Sequence, residues 1–273
     1  MSVTRHTAWC GFYIDATYVP PQDGWEVVSG GCTARVERKF GSDWVVKLPY
    51  PNSFDPASTA RDLRREFDIY QRLPHHPRLL RLLPGSSPTR LVLPYISHGT
   101  LRDRLGPDAT PPLTWSQRLQ FAADAAEAIA VLHSANVIHC DIQLHNFMVN
   151  SEGRLQVIDF AGSMLDGQLG SAIEGKSYFL PRPFDEPSTE RTDIFALGSV
   201  LYAILAGRPP YEEKPEEDVS RLFSQGVFPP TDHLVCGDTI LKCWIGTYTS
   251  AHDVYQAISG SRQYNSSRQG SSS

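Results

Sequence analysis

Two short stretches carry side chains suited to one kind of chemistry. The first is His139-Cys140-Asp141-Ile142-Gln143-Leu144-His145-Asn146, the second Val157-Ile158-Asp159-Phe160. Asp141 and Asn146 set a carboxylate and an amide on one short loop. Asp159 adds a carboxylate at the end of an apolar run. Asp141 is suited to take a proton from an attacking hydroxyl. Asn146 and Asp159 are oxygen donors that fit Mg²⁺, a hard cation that also keeps phosphate and water ligands. A base, two metal ligands and a metal-held phosphate suffice for phosphoryl transfer, in which a protein mostly positions groups and stabilises charge.

Such groups need rigid elements around them. Trp25–Val28, Thr33–Lys39 and Trp44–Leu48 read as three short strands, punctuated by Gly30-Gly31 and Gly41-Ser42-Asp43. A Gly-rich turn between strands lets backbone N–H groups approach phosphates, because no Cβ blocks them. Ser58–Leu73 reads as a helix with Leu63, Phe67, Tyr70 and Leu73 on one face and Ser58 or Thr59 as N-cap. Thr114-Trp115-Ser116-Gln117 has capping-box form and opens a helix to about His133. Its apolar face is Phe121, Ala125, Ala128, Ile129 and Leu132, and the His139 loop follows directly. Asp193–Tyr202 is apolar all round, the mark of a helix buried on every side. Glu216–Gln225 and Ser250–Ile258 read as closing helices.

The 273 residues accommodate one large domain or two lobes sharing a cleft. Hydrophobic content of 41% supports a packed core. A net charge of -5 gives no electrostatic footprint for nucleic acid. The five cysteines, Cys10, Cys32, Cys140, Cys236 and Cys243, form no C-x-x-C pair, which argues against a disulfide framework or a zinc site. No apolar run reaches the roughly 18 residues of a membrane span. Residues 1–18 lack the layout of a signal peptide. The expectation is a soluble intracellular protein, cytoplasmic or nuclear. Residues 260–273, rich in Ser, Gly, Gln and Arg, read as a flexible tail.

The two opening stretches resemble the catalytic loop and metal-binding segment of protein kinases, His-Arg-Asp, four residues, Asn, then Asp-Phe-Gly. Cys140 stands for the Arg and Ala161 for the Gly. The resemblance extends over about residues 25–258. It implies an α+β, bilobal fold: a small β-rich N-lobe with one helix over residues 22–96, and a larger, mainly helical C-lobe over 97–259, preceded by a 1–21 extension. By position, Lys47 ends a strand like Val-Ala-Ile-Lys and anchors ATP phosphates, while Glu66 orients it. Asp141 is the base, Asn146 and Asp159 hold Mg²⁺, and Asp193 braces the loop by accepting backbone N–H bonds. His139 and Phe160 stack in an apolar column with Tyr70 and Leu82. Val28, Gly30, Gly31, Val36, Val45, Leu93, Pro94, Ile96 and Met148 line the nucleotide. Pro94 keeps a C=O for the adenine amino group, and Ile96 supplies an N–H. Thr100 stands where many kinases carry an acidic ribose ligand. His76–Leu82 matches a loop and strand after the first helix. Cofactors are ATP and Mg; the partner is a protein substrate, with no nucleic acid and no membrane.

Four departures carry consequences. In the glycine turn only Gly31 keeps register, with Ser29 and Ala34 at the flanking glycine positions. Cys140 removes the Arg that reads a phosphorylated activation segment, so activity is expected without phosphorylation of Ser171, Ser177 or Tyr178. Gln143 replaces a Lys; it can donate to the γ-phosphate but brings no charge. Pro181 keeps its place, yet Arg182 and Tyr248 stand where an ion pair belongs, which suggests that Arg182 stacks on Tyr248. The reading is an ATP-dependent protein kinase, Ser/Thr by default. The alternatives are a pseudokinase scaffold and, further off, a small-molecule phosphotransferase.

Overall fold

The computed structural model describes residues 22–31, 33–50 and 53–270. The 1–21 extension, with Cys10, and Cys32 of the glycine turn lie outside the described residues. The chain divides into two compact units: residues up to Arg72 with Leu80–Tyr95, and Leu73–Leu79 with Ile96 onward.

The described residues of the first unit form a four-stranded antiparallel sheet. β1 (Trp25–Gly30), β2 (Ala34–Lys39), β3 (Trp44–Pro49) and β4 (Leu91–Pro94) lie in chain order. A register shift between Val27 and Ser29 places a bulge at Val28, just before the glycine turn. The β2–β3 turn is tightened by Ser42, whose hydroxyl donates to the Lys39 and Trp44 carbonyls at 2.8 Å each. β3 lies between β2 and β4, so Val45, Val46 and Lys47 are all buried. α1 (Pro56–Arg72) packs on β3. It starts two residues earlier than Ser58 predicts. Asp55 is the cap, accepting from Ser58 N at 2.9 Å. Pro56 takes the first helical position, where its missing N–H costs nothing and its φ is already set.

In the second unit α3 (Trp115–Ser134) starts at the predicted capping box. Thr114 Oγ1 accepts from Gln117 N at 3.2 Å, and Gln117 Oε1 from Thr114 N at 2.9 Å. Its alanine-rich face packs on α4 (Glu190–Ala206) and α7 (Ala251–Gly270). α4 is buried at every position from Thr192 to Leu205, as its unbroken apolarity requires. A Cβ on Gly198 would lie 2.7 Å from Cys243 Cβ, so glycine is what lets α6 (Gly237–Ile245) approach so closely. Arg191 caps that helix, donating to the Cys243 and Trp244 carbonyls at 2.7 and 2.5 Å.

Several positions depart from what the sequence suggests. His76–Leu82 forms no strand: Leu79 makes one bridge with Val157, and Arg78 is buried on Asp124 (2.8 Å) and Glu127 (3.2 Å). Thr100 is not left facing a ligand. It heads α2 (Leu101–Leu105) in a capping box with Asp103. α6 is an element the sequence reading passed over. α7 continues to Gly270, past the expected start of a tail at Gly260, because propagating a formed helix needs only one bond per added residue. Arg182 does not stack on Tyr248. It pairs with Glu174 at 2.9 Å and lies over the Phe179 ring, 4.6 Å from the centroid. α5 (Glu216–Ser224) lies where predicted. Among the described residues no helix is long and apolar enough to cross a membrane.

Candidate active site

The first unit brings Lys47 and Glu66 together. The register fixes Lys47 opposite Val36 on one side and Leu91 on the other. α1 carries Glu66 to it, with Nζ and Oε2 2.6 Å apart. The Glu66 side chain is 1% exposed. Withdrawing two charges from water costs several kcal/mol per ion, so such a pair persists only with close geometry. Lys47→Met, which removes the cation from this buried carboxylate, should cost about 3–5 kcal/mol in urea unfolding, and Lys47→Met/Glu66→Leu should regain most of it. Val28, Gly30, Gly31, Val36, Val45, Leu93 and Pro94 belong to the same sheet and its first turn. Val45 and Leu93 are buried. The turn is closed by Gly31 N donating to Ala34 O at 3.0 Å.

The second unit holds the remaining predicted site residues: Asp141, Asn146, Asp159, Met148, Ile96, His139, Phe160 and Asp193. Their placement starts from Asp193, three residues inside α4 and fully buried. Its Oδ2 accepts from His139 N at 2.7 Å and its Oδ1 from Cys140 N at 3.0 Å. His133, near the end of α3, puts Nε2 3.0 Å from the same Oδ2. One carboxylate therefore joins two helices to the loop. His139 continues the order. Its Nδ1 accepts from Asp141 N at 3.3 Å, so Nε2 is the nitrogen that donates to Ile158 O at 3.0 Å. Phe160 meets the His139 ring edge-on, 5.7 Å between centroids. Asp159, between Ile158 and Phe160, has φ 69°, and Cys140 has φ 66°. Non-glycine residues sit in this region only where their surroundings hold them there, and such strain clusters at functional sites.

Asp141 is gripped by two amides. Asn146 Nδ2 donates to its main-chain oxygen (2.7 Å) and to Oδ2 (3.0 Å). Gln143 Nε2 donates to Oδ1 at 2.6 Å. Gln143 thus serves the Asp141 carboxylate, and is not turned outward as a γ-phosphate donor. Burial pushes the Asp141 carboxyl up to about 6, and neighbouring Asp159 adds to the rise. His139 and the amides of Gln143 and Asn146 hold it down. Burial pushes His145 down to about 4, so it is neutral at pH 7. Cys140 is no nucleophile: burial pushes its thiol up to about 12.

The donor set fits magnesium. Asn146 makes these bonds through nitrogen, so its carbonyl oxygen keeps its lone pairs for a cation. Among the described residues no group of three or more His, Cys, Asp or Glu could hold a metal unaided. One Asp and one Asn, completed by phosphate oxygens and water, is the kind of site Mg²⁺ takes.

The family model of the protein kinase domain matches residues 28–234, and the chain belongs to the protein kinase family. It is similar to the leaf rust 10 disease-resistance locus receptor-like protein kinase-like 1.2 of Arabidopsis thaliana. That match is 29% identical over 195 residues, covering 67% of this chain and 29% of the relative. CBL-interacting protein kinase 25 of Oryza sativa subsp. japonica is 31% identical over 200 residues, covering 68% and 38%. A probable serine/threonine-protein kinase of Dictyostelium discoideum is 29% identical over 180 residues, covering 63% and 36%. The chain thus spans well under half the length of these relatives.

Proposed function

We propose that this chain transfers the γ-phosphate of Mg·ATP to a protein hydroxyl, with Asp141 as base. The observation that carries it is the triple hold on that loop: Asp193 on its backbone, Gln143 and Asn146 on the Asp141 carboxylate. A base fixed within hydrogen-bond reach of its proton is what general-base catalysis needs. Lys47, paired with Glu66, is suited to anchor nucleotide phosphates. Asn146 and Asp159 hold the metal. Bound magnesium supplies charge neutralisation on the phosphate oxygens. Serine and threonine acceptors are the expected ones, in keeping with the name of the Dictyostelium discoideum relative.

A second reading, a kinase-shaped binding module, is favoured by the thinned glycine turn, with Ser29 and Ala34 at its outer positions. Label transfer from radioactive Mg·ATP to a serine/threonine peptide library separates the two. Wild type should transfer label; Lys47→Ala and Asp141→Asn should not, and Asp141→Asn should still bind nucleotide. A wild type that binds Mg·ATP and transfers nothing would establish the binding module.

A further inference from the structure

Between Asp159 and α4 the backbone has little regular structure; β6 (Met164–Leu165) pairs with β5 (Val137–Ile138), and the rest is held by side chains. Arg182 is the hub of that hold. Its Nη2 lies 2.9 Å from Glu174 Oε2 and 3.0 Å from Ser188 Oγ. Its Nη1 donates to Leu180 O at 3.2 Å and its Nε to Glu186 O at 3.4 Å. The Arg182 and Glu174 side chains are 7% and 0% exposed. Burial pushes the Glu174 carboxyl up, and Arg182 holds it down. Its second oxygen, Oε1, is buried without a hydrogen-bond partner. The carboxylate is thus held by its own backbone N–H and by Arg182, its charged partner.

The next residue is Gly175. A Cβ there would lie 3.4 Å from Gln143 Oε1. The opposite end of that amide, Nε2, is the donor to Asp141. Tyr178 and Ser177, further along the segment, are buried. Lys176 Nζ donates to the Glu212 and Lys214 carbonyls at 3.0 and 2.7 Å.

We propose that Glu174 and Arg182 are positioning residues for Asp141. Their buried pair holds Gly175 close behind the Gln143 amide, which keeps that side chain against Asp141; the carboxylate itself selects the nitrogen end, because it accepts and cannot donate. This rests on the reading of Asp141 as base.

The test uses the full chain with Arg182→Met, Glu174→Gln and the apolar double variant Glu174→Leu/Arg182→Met. A buried pair replaced by apolar groups of similar volume is often tolerated, whereas one broken from one side is not. Both single variants should lose amide hydrogen-exchange protection over 174–182. Their kcat should fall on the order of 10²-fold, the cost of a misplaced catalytic group. The KM for ATP should stay within about twofold, because the loss lies in base positioning rather than uniform binding. The acid limb of kcat/KM should move to higher pH as the Gln143 bond loosens. The double variant should regain protection and most of the rate. Lost protection with kcat and acid limb unchanged would overturn the positioning role. Unchanged protection in both single variants would overturn the pair's hold on the segment, even if wild type transfers no phosphate. Absence of transfer by wild type, with protection lost as expected, would overturn Asp141 as base and with it the positioning claim, leaving the pair's hold on the segment intact.

Discussion

Asp193→Ala should lower the stability of the second unit by about 3–5 kcal/mol and abolish phosphoryl transfer. The substitution removes the acceptor for His139 N and Cys140 N, both inside a fully buried site. Each buried donor left without a partner costs about 1–3 kcal/mol. The His133 contact at 3.0 Å goes as well. Asn would not rescue it. The carboxylate uses both oxygens as acceptors, and an Asn amide would turn an N–H toward one of these donors. Urea unfolding of Asp193→Ala and Asp193→Asn should show midpoints well below wild type with an unchanged slope. A near-wild-type midpoint for Asp193→Asn would show that the loop is held by other means. The loss of activity should also be seen below the melting transition. The Cys140 backbone, with φ 66°, needs this brace to stay in the left-handed region.

The parts of the fold legible in the sequence are those fixed by local chemistry. β-branched neighbours define the strand of Lys47 and an apolar stripe the face of α1 that carries Glu66, while their pairing is legible only through the resemblance to kinases. The helix of Asp193 was readable from its all-round apolarity, and the acid's hold on the loop N–H groups from the same resemblance. The capping box at Thr114 announced α3. The misreadings concern side chains whose partners are set by tertiary packing. Gln143 turned to Asp141 because a carboxylate two residues away is the nearer acceptor. Arg182 found Glu174, eight residues back, where position alone pointed to Tyr248. Thr100 stands where an acidic ribose ligand is common, and the cap signature, Asp103 three residues on, explains its place instead. The first turn of α1 shows the same limit: Asp55-Pro56 carries both start signals, and Ser58 only resembles one.

The rate of phosphoryl transfer should follow the ionisation of Asp141. Burial lifts its carboxyl to about 6, so kcat/KM should rise with pH along a limb centred near 6 and level off above it. At pH 5 the rate should be about tenfold below its plateau, since one pH unit below the midpoint leaves about a tenth of the base ionised. Asp141→Asn should remove the limb and cost about 10²- to 10⁴-fold, the usual worth of a positioned base. Gln143→Leu should keep the base but shift the limb upward, because the amide at 2.6 Å stabilises the charged form. For stability the sign is the reverse. A carboxyl raised in the folded state favours folding below its unfolded range near 4, and that contribution is lost as pH rises through about 6. Its two side-chain donors, the Gln143 and Asn146 amides, can turn to present oxygen, unlike the fixed backbone N–H groups on Asp193, so Asp141→Asn should be at least as stable as wild type at pH 7.5 while nearly inactive. That combination separates a strained catalytic base from a structural acid: an Asp141→Asn variant that melts several degrees lower would place Asp141 among the groups that hold the loop together, alongside Asp193.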